Sequence, residues 1–127
     1  MVAFDHERAS RGIGAALAGA GGVGLVLKVF CGVPGVLFSP ERRGLFRSQP
    51  ERVQIGDWRY EVTPDGRLTA AHLVNGIVLA EEILAAGVVG PHIARALGQV
   101  VSSYGPMIVP NIDAALEALE TGAGSGY

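Results

Sequence analysis

Two imidazoles and a carboxylate are a donor set suited to zinc or iron, and His72 and His92, with Glu81 or Glu82 as the third group, are the residues here that could supply it. Their spacing argues otherwise. No short His-Glu-x-x-His pattern is present, and His92 directly follows Pro91, where a helix start makes an exposed or capping role ordinary. No metal and no other cofactor is therefore expected. Cys31 needs a base beside it to act as a nucleophile, and nothing in the sequence supplies one, so a structural thiol is expected. Ser102 and Ser103 lack the strand-turn-helix setting of a nucleophile elbow. Asp5, His6 and Glu7 are adjacent, and neighbours on a helix point apart. Glu81-Glu82 reads as a solvated edge. No catalytic constellation emerges, and a noncatalytic protein is favoured over an enzyme working through His72, His92, Glu81, Glu82 or Cys31. Trp58 and Tyr60 are the candidates for the wall of an apolar or lipid-like ligand site, although aromatics at strand spacing more often fill a core.

The element that carries those aromatics is the clearest in the chain. Trp58, Tyr60 and Val62 alternate with Arg59, Glu61 and Thr63, the period of a strand with one dry face. Thr63-Pro64-Asp65-Gly66 then forces a turn, because Pro64 presets its backbone, Asp65 can bond its own main chain and Gly66 accepts a left-handed conformation. Ahead of the strand, Val53 and Ile55 continue the alternation to Gly56-Asp57, a second tight turn or a bulge. From Thr69 to Ala86, Leu73, Ile77, Ala80 and Leu84 fall at helical spacing and Gly87 stands at a helix end, which favours a helix. Asn75-Gly76 between two apolar runs is the competing signal, for a hairpin.

The remaining segments read as follows. Gly12, Ala16, Ala20 and Gly24 recur every four residues and would make a smooth helical stripe for close approach of another backbone; the alternative is a poor, Gly-rich helix ending near Gly19. Gly19, Gly21 and Gly24 match a dinucleotide fingerprint, but the β-like run follows them instead of preceding them. Leu25 to Phe30 reads as a buried strand and Val36 to Phe38 as a short edge strand. Arg42, Arg43 and Arg47 form the one basic cluster, best explained as a solvated loop. Gly90-Pro91 looks like a helix start, with Ile93, Leu97, Val100, Val101 and Tyr104 at helical spacing until Gly105-Pro106. A further helix begins near Pro110, with Ile112, Leu116 and Leu119 as its stripe. These readings give a single α+β domain over residues 1–121, with a small mainly antiparallel sheet from Leu25 to about Leu68, C-terminal helices packed on one face, and a flexible Gly/Ser-rich tail at 122–127.

Composition narrows the partners. Hydrophobic residues make up 49% of the chain and charged residues 17%, so apolar surface must be covered by something. A second copy is the simplest cover, with the Gly12, Ala16, Ala20 and Gly24 stripe as one interface and a sheet edge as another; a small apolar ligand is the alternative. The formal net charge of −2 argues against nucleic acid. The uncharged run from Gly12 to Leu27 is shorter than the roughly 20 residues a membrane span needs and is followed by Lys28. Acidic Asp5 and Glu7 and the bulky Phe30 before Cys31 argue against export and lipidation, and the lone cysteine suits a reducing cytoplasm. At Gly56-Asp57-Trp58-Arg59-Tyr60 and again at Gly90-Pro91-His92-Ile93-Ala94 the chain resembles small actinobacterial proteins of unknown function over most of its length. That resemblance implies no particular site residue. The expected role is a self-associating structural or interaction module, most simply a homodimer.

Overall fold

The computed structural model describes residues 4–17, 22–40, 42–44, 48–49 and 51–124. Five strands build one sheet: β1 (Val36–Ser39), β4 (Arg52–Ile55), β5 (Trp58–Val62), β6 (Leu68–Val74) and β7 (Ile77–Leu84), in that spatial order and antiparallel throughout. The two-residue strands β2 (Arg42–Arg43) and β3 (Ser48–Gln49) pair separately. Helices α1 (His6–Leu17), α2 (Gly22–Val29), α3 (Ala86–Tyr104) and α4 (Val109–Gly124) complete the fold. The architecture is α+β, and α3 and α4 share one core with the sheet, as their helical spacing implies; α1 and α2 join them.

Tight turns set the order of the sheet. Gly56-Asp57 joins β4 to β5, so Ile55 stands opposite Trp58 and Val53 opposite Tyr60. Thr63 to Gly66 turns the chain into β6: the Gly66 N–H donates to the Thr63 carbonyl at 2.9 Å, and the Thr63 hydroxyl bonds the Asp65 carboxylate. On the face turned to the helices stand Val53, Ile55, Tyr60, Leu68, Ala70 and Leu84, all buried. The opposite face carries an ion pair, Arg52 Nε to Glu61 at 2.7 Å, with Arg59 at 3.6 Å from the same carboxylate.

Three expectations are overturned. The helix from Thr69 to Ala86 is instead the β6–β7 hairpin. Asn75 (φ 52°) and Gly76 (φ 80°) both take left-handed conformations, the requirement of a two-residue hairpin turn whose twist matches its strands. The helical spacing of Leu73, Ile77, Ala80 and Leu84 is coincidental, since Leu73 and Leu84 are buried while Ile77 and Ala80 are exposed. The sheet accordingly runs from Val36 to Leu84, not from Leu25 to Leu68. Leu25 to Phe30 is not a strand: α2 and a following 3-10 turn put Val26, Leu27 and Phe30 in the core and leave Leu25 and Lys28 outside. A short apolar run has no decisive period, and here the helical spacing of the three buried residues is what the core accepts. Finally, α3 begins at Ala86 and carries Pro91 inside it. The missing Pro91 N–H would have met the carbonyl of exposed Gly87, which water can serve.

Helix α1 starts at Asp5, whose carboxylate accepts the Arg8 N–H at 3.0 Å. Its buried stripe is Ala9, Gly12, Ile13 and Ala16. Arg8 reaches Glu120 (2.8 Å) and Asp113 (3.3 Å) on α4. Close packing of α1 on α3 depends on glycine in α3: a methyl group on Gly90 would fall 2.6 Å from the Ser10 carbonyl oxygen. Helix α4 continues to Gly124, into the Gly-rich end, and residues 125–127 lie outside the described residues.

Candidate functional site

The hairpins and α3 gather four of the residues singled out by their chemistry. Trp58 and Tyr60 lie on the helix-facing side of β5, His72 stands opposite Trp58 on β6, and His92 comes down from α3. The Trp58 indole stacks on the His72 ring, with centroids 4.8 Å apart and planes inclined by 25°, and meets His92 edge-to-face at 4.4 Å and 81°. The Tyr60 hydroxyl lies 2.8 Å from Nδ1 of His92. His72 and His92 thus share the Trp58 ring as a common neighbour.

Electrostatics assign the protons. Burial pushes the Tyr60 hydroxyl far above the ordinary phenol range, so it stays protonated, and because no polar or charged residue is buried among the described residues to accept its hydrogen, it donates to His92. Nδ1 of His92 is then the acceptor and its proton sits on Nε2. Burial lowers the His92 pKa below the ordinary imidazole value; Glu82 opposes that shift and Arg95 adds to it. The ring is neutral at neutral pH. The arrangement orients α3 against the sheet through the bond from Tyr60 to His92.

The other candidates are dispersed. Among the described residues no group of three or more His, Cys, Asp and Glu is placed to hold a metal ion. Glu81 and Glu82 are consecutive on β7, so their side chains leave opposite faces of the sheet. Cys31 is half-buried, with its thiol 3.7 Å from the Leu27 carbonyl; burial first, and then Glu51, raise its pKa against the pull of Lys28. That is the reverse of an activated thiolate. Ser102 bonds back to the Gly98 carbonyl at 3.1 Å within α3. His6 is exposed, with its ring against Phe4.

The ligand wall and the helical stripe both change meaning. Tyr60 is fully buried and fills the core instead of lining open space. Open apolar space lies at the far end of β6 and β7, a cleft of about 540 Å³ lined by Leu17, Leu68, Ile83, Leu84, Ala86 and Val89 among others. Gly12 and Ala16 are buried within their own chain, and a methyl group on Gly12 would touch Leu116 of α4 at 3.7 Å. Gly24 belongs to a different helix, α2, and Ala20 lies outside the described residues. The stripe therefore serves internal packing of α1 at the positions that can be placed.

One surface escaped the sequence reading. Strand β7 forms an edge of the sheet, and Ile77, Val78, Leu79 and Ile83 on it are all exposed. Its signal was present in Asn75-Gly76 and the β-branched run after it. Among the described residues no helix is long and apolar enough to cross a membrane. No curated protein and no solved structure matches the chain. A family described as a domain of unknown function, DUF5073, does match, and because the match spans residues 1–121, the chain belongs to the DUF5073 family.

Proposed function

We propose that this DUF5073 protein is a noncatalytic, self-associating interaction module, a homodimer formed by antiparallel pairing of β7 with β7 of a second copy. One observation carries the reading: an eight-residue strand stands at a sheet edge with seven of its residues exposed. Ile77, Leu79, Ile83 and Val78 are 64%, 63%, 57% and 41% exposed. An edge of this length presents unpaired N–H and C=O groups beside apolar side chains, the template for sheet extension. Pairing about a two-fold axis closes the assembly at two copies.

The sequence of β7 limits the register. Full overlap sets Ile77 opposite Leu84, Val78 opposite Ile83, Leu79 opposite Glu82 and Ala80 opposite Glu81. Slipping the pairing to bring Glu81 or Glu82 against its own counterpart puts like charges face to face, which costs stability. The bulge of β7 between its pairings to His72 and Leu73 adds local twist that further restricts partners. Sedimentation of the purified protein at micromolar concentration is the test. A dimer that Leu79→Glu dissociates is expected; a strictly monomeric wild-type protein overturns the proposal.

A reducing cytoplasmic setting and an actinobacterial source belong to the same reading, supported by the single cysteine and the Ala/Gly/Val/Arg-rich usage. A second reading, a site for a small apolar ligand, is favoured only by the cleft beside Leu68, Leu84 and Val89, whose apolar walls and size suit such a molecule. Native mass spectrometry of the protein as purified tests it through a co-purified adduct.

A further inference from the structure

We infer that Tyr60, Trp58 and His92 form a proton-operated latch, which seats α3 on the sheet while His92 is neutral and loosens when its ring takes up a second proton. The inference stands apart from the β7 interface and does not depend on it.

The latch follows from where hydrogen-bonding capacity runs out. Tyr60 is completely buried, and its hydroxyl donates to Nδ1 of His92 at 2.8 Å. A proton arriving at Nδ1 leaves the imidazolium with two donors and no acceptor. The Tyr60 hydroxyl must then turn to accept, and its own hydrogen points into the core. Among the described residues no polar or charged residue is buried there to receive it, and the neighbours across β5 are Val53 and Ala70. A buried donor without a partner is costly, so the protonated state favours separation of α3 from β5.

The groups facing His92 set the direction of the response. From β5 it meets Tyr60 and the Trp58 ring, which also stacks on His72 of β6, from β7 Glu82, and along α3 Arg95. Glu82 favours the charged ring, whereas burial and Arg95 oppose it, and burial is the largest effect. The folded-state pKa therefore lies below the unfolded value of 6.5. The contribution of the latch is complete above about pH 6.5 and is lost as the pH falls through the lower, folded-state value.

Trp58 is the single tryptophan of the chain and touches both histidine rings, and an imidazolium in contact with indole quenches its fluorescence, so with His72 replaced its emission reports His92. The experiment takes the full chain from pH 7.5 to 5.0 and records Trp58 emission together with amide exchange over residues 89–97, corrected for the intrinsic pH dependence of exchange. A sigmoidal emission loss below pH 6.5, with about tenfold faster exchange, is expected. His92→Asn keeps an acceptor near Nδ1 and cannot titrate, so the faster exchange should disappear, and so should the emission loss when His72→Gln is also present. Tyr60→Phe, a second variant that conserves the core volume, should weaken the pH dependence of exchange, since burial of the His92 ring remains, and His72→Gln should leave the emission transition in place. Flat emission and exchange in the wild-type protein, faster exchange that survives in His92→Asn, or an emission transition that vanishes in His72→Gln would each overturn the inference.

Discussion

The two edges of the sheet differ in how they are protected. Strand β1 is four residues long, pairs with β4 from Val36–Ile55 to Ser39–Arg52, and is followed by Pro40, which has no N–H to offer a neighbour. It is also pinned from behind: a methyl group on Gly35 would fall 2.7 Å from Val100 and 2.8 Å from Tyr104 of α3. Strand β7 is twice as long, ends a tight hairpin, and buries only Leu84. Apolar exposure does not separate the two, since Leu37 and Phe38 on β1 are exposed as well. Length and hydrogen-bonding capacity do. Pairing β1 of one copy to β7 of the next would propagate an open-ended array, whereas β7 on β7 closes. If β7 pairs as proposed, a short first edge and a long last edge favour a finite assembly over a fibre.

The largest expected effect comes from attacking β7 itself. Leu79→Glu removes apolar burial and, in the full-overlap register, faces Glu82 of the second copy; a loss of about 2–3 kcal/mol, roughly a hundredfold in dimer dissociation constant, is expected by sedimentation. Leu79→Lys meets the same carboxylate with opposite charge and should weaken association far less. Equal loss from both would show that the register is different. The corresponding change at the other edge, Leu37→Glu, should leave association unchanged, and a comparable loss there would erase the distinction between the edges.

Next in size is a change that leaves both edges alone. Gly90→Ala drives a methyl group against the Ser10 carbonyl and should cost about 1–3 kcal/mol in denaturant unfolding, with dimerisation of the folded protein unaltered. Gly76→Ala strains a left-handed position of the hairpin turn, and about 1 kcal/mol of stability should be lost, with a smaller weakening of the dimer because the β6–β7 ladder frays first. The smallest effect is that of pH. The depressed pKa of His92 means the unfolded chain binds its proton first as the pH falls, so stability should decline below about pH 6.5 and flatten beneath the folded-state pKa. Urea titrations at pH 7.5, 6 and 5 would show it, and His92→Asn should abolish this component.

What the sequence determined by itself is local. Gly56-Asp57, Thr63 to Gly66 and Gly105-Pro106 mark chain reversals or helix ends through backbone preferences that need no distant partner, and the alternation through Trp58, Tyr60 and Val62 names a strand and its dry face. The spacing of Ile112, Leu116 and Leu119 is likewise the stripe that α4 buries. Tertiary structure decided the rest. Leu25 to Phe30 and Thr69 to Ala86 are apolar runs compatible with either period, and what settled them was the surface available to bury: α2 fits Val26, Leu27 and Phe30 into the core, and β6 finds β5 on one side and β7 on the other. Trp58, Tyr60 and His72 meet only because the Thr63–Gly66 turn sets one register, and His92 joins them from twenty residues beyond His72 because α3 folds back over the sheet. The exposure of β7 is a property of the whole sheet. Strand β7 is an edge because, among the described residues, β6 alone pairs with it, and after Leu84 the chain turns into a helix.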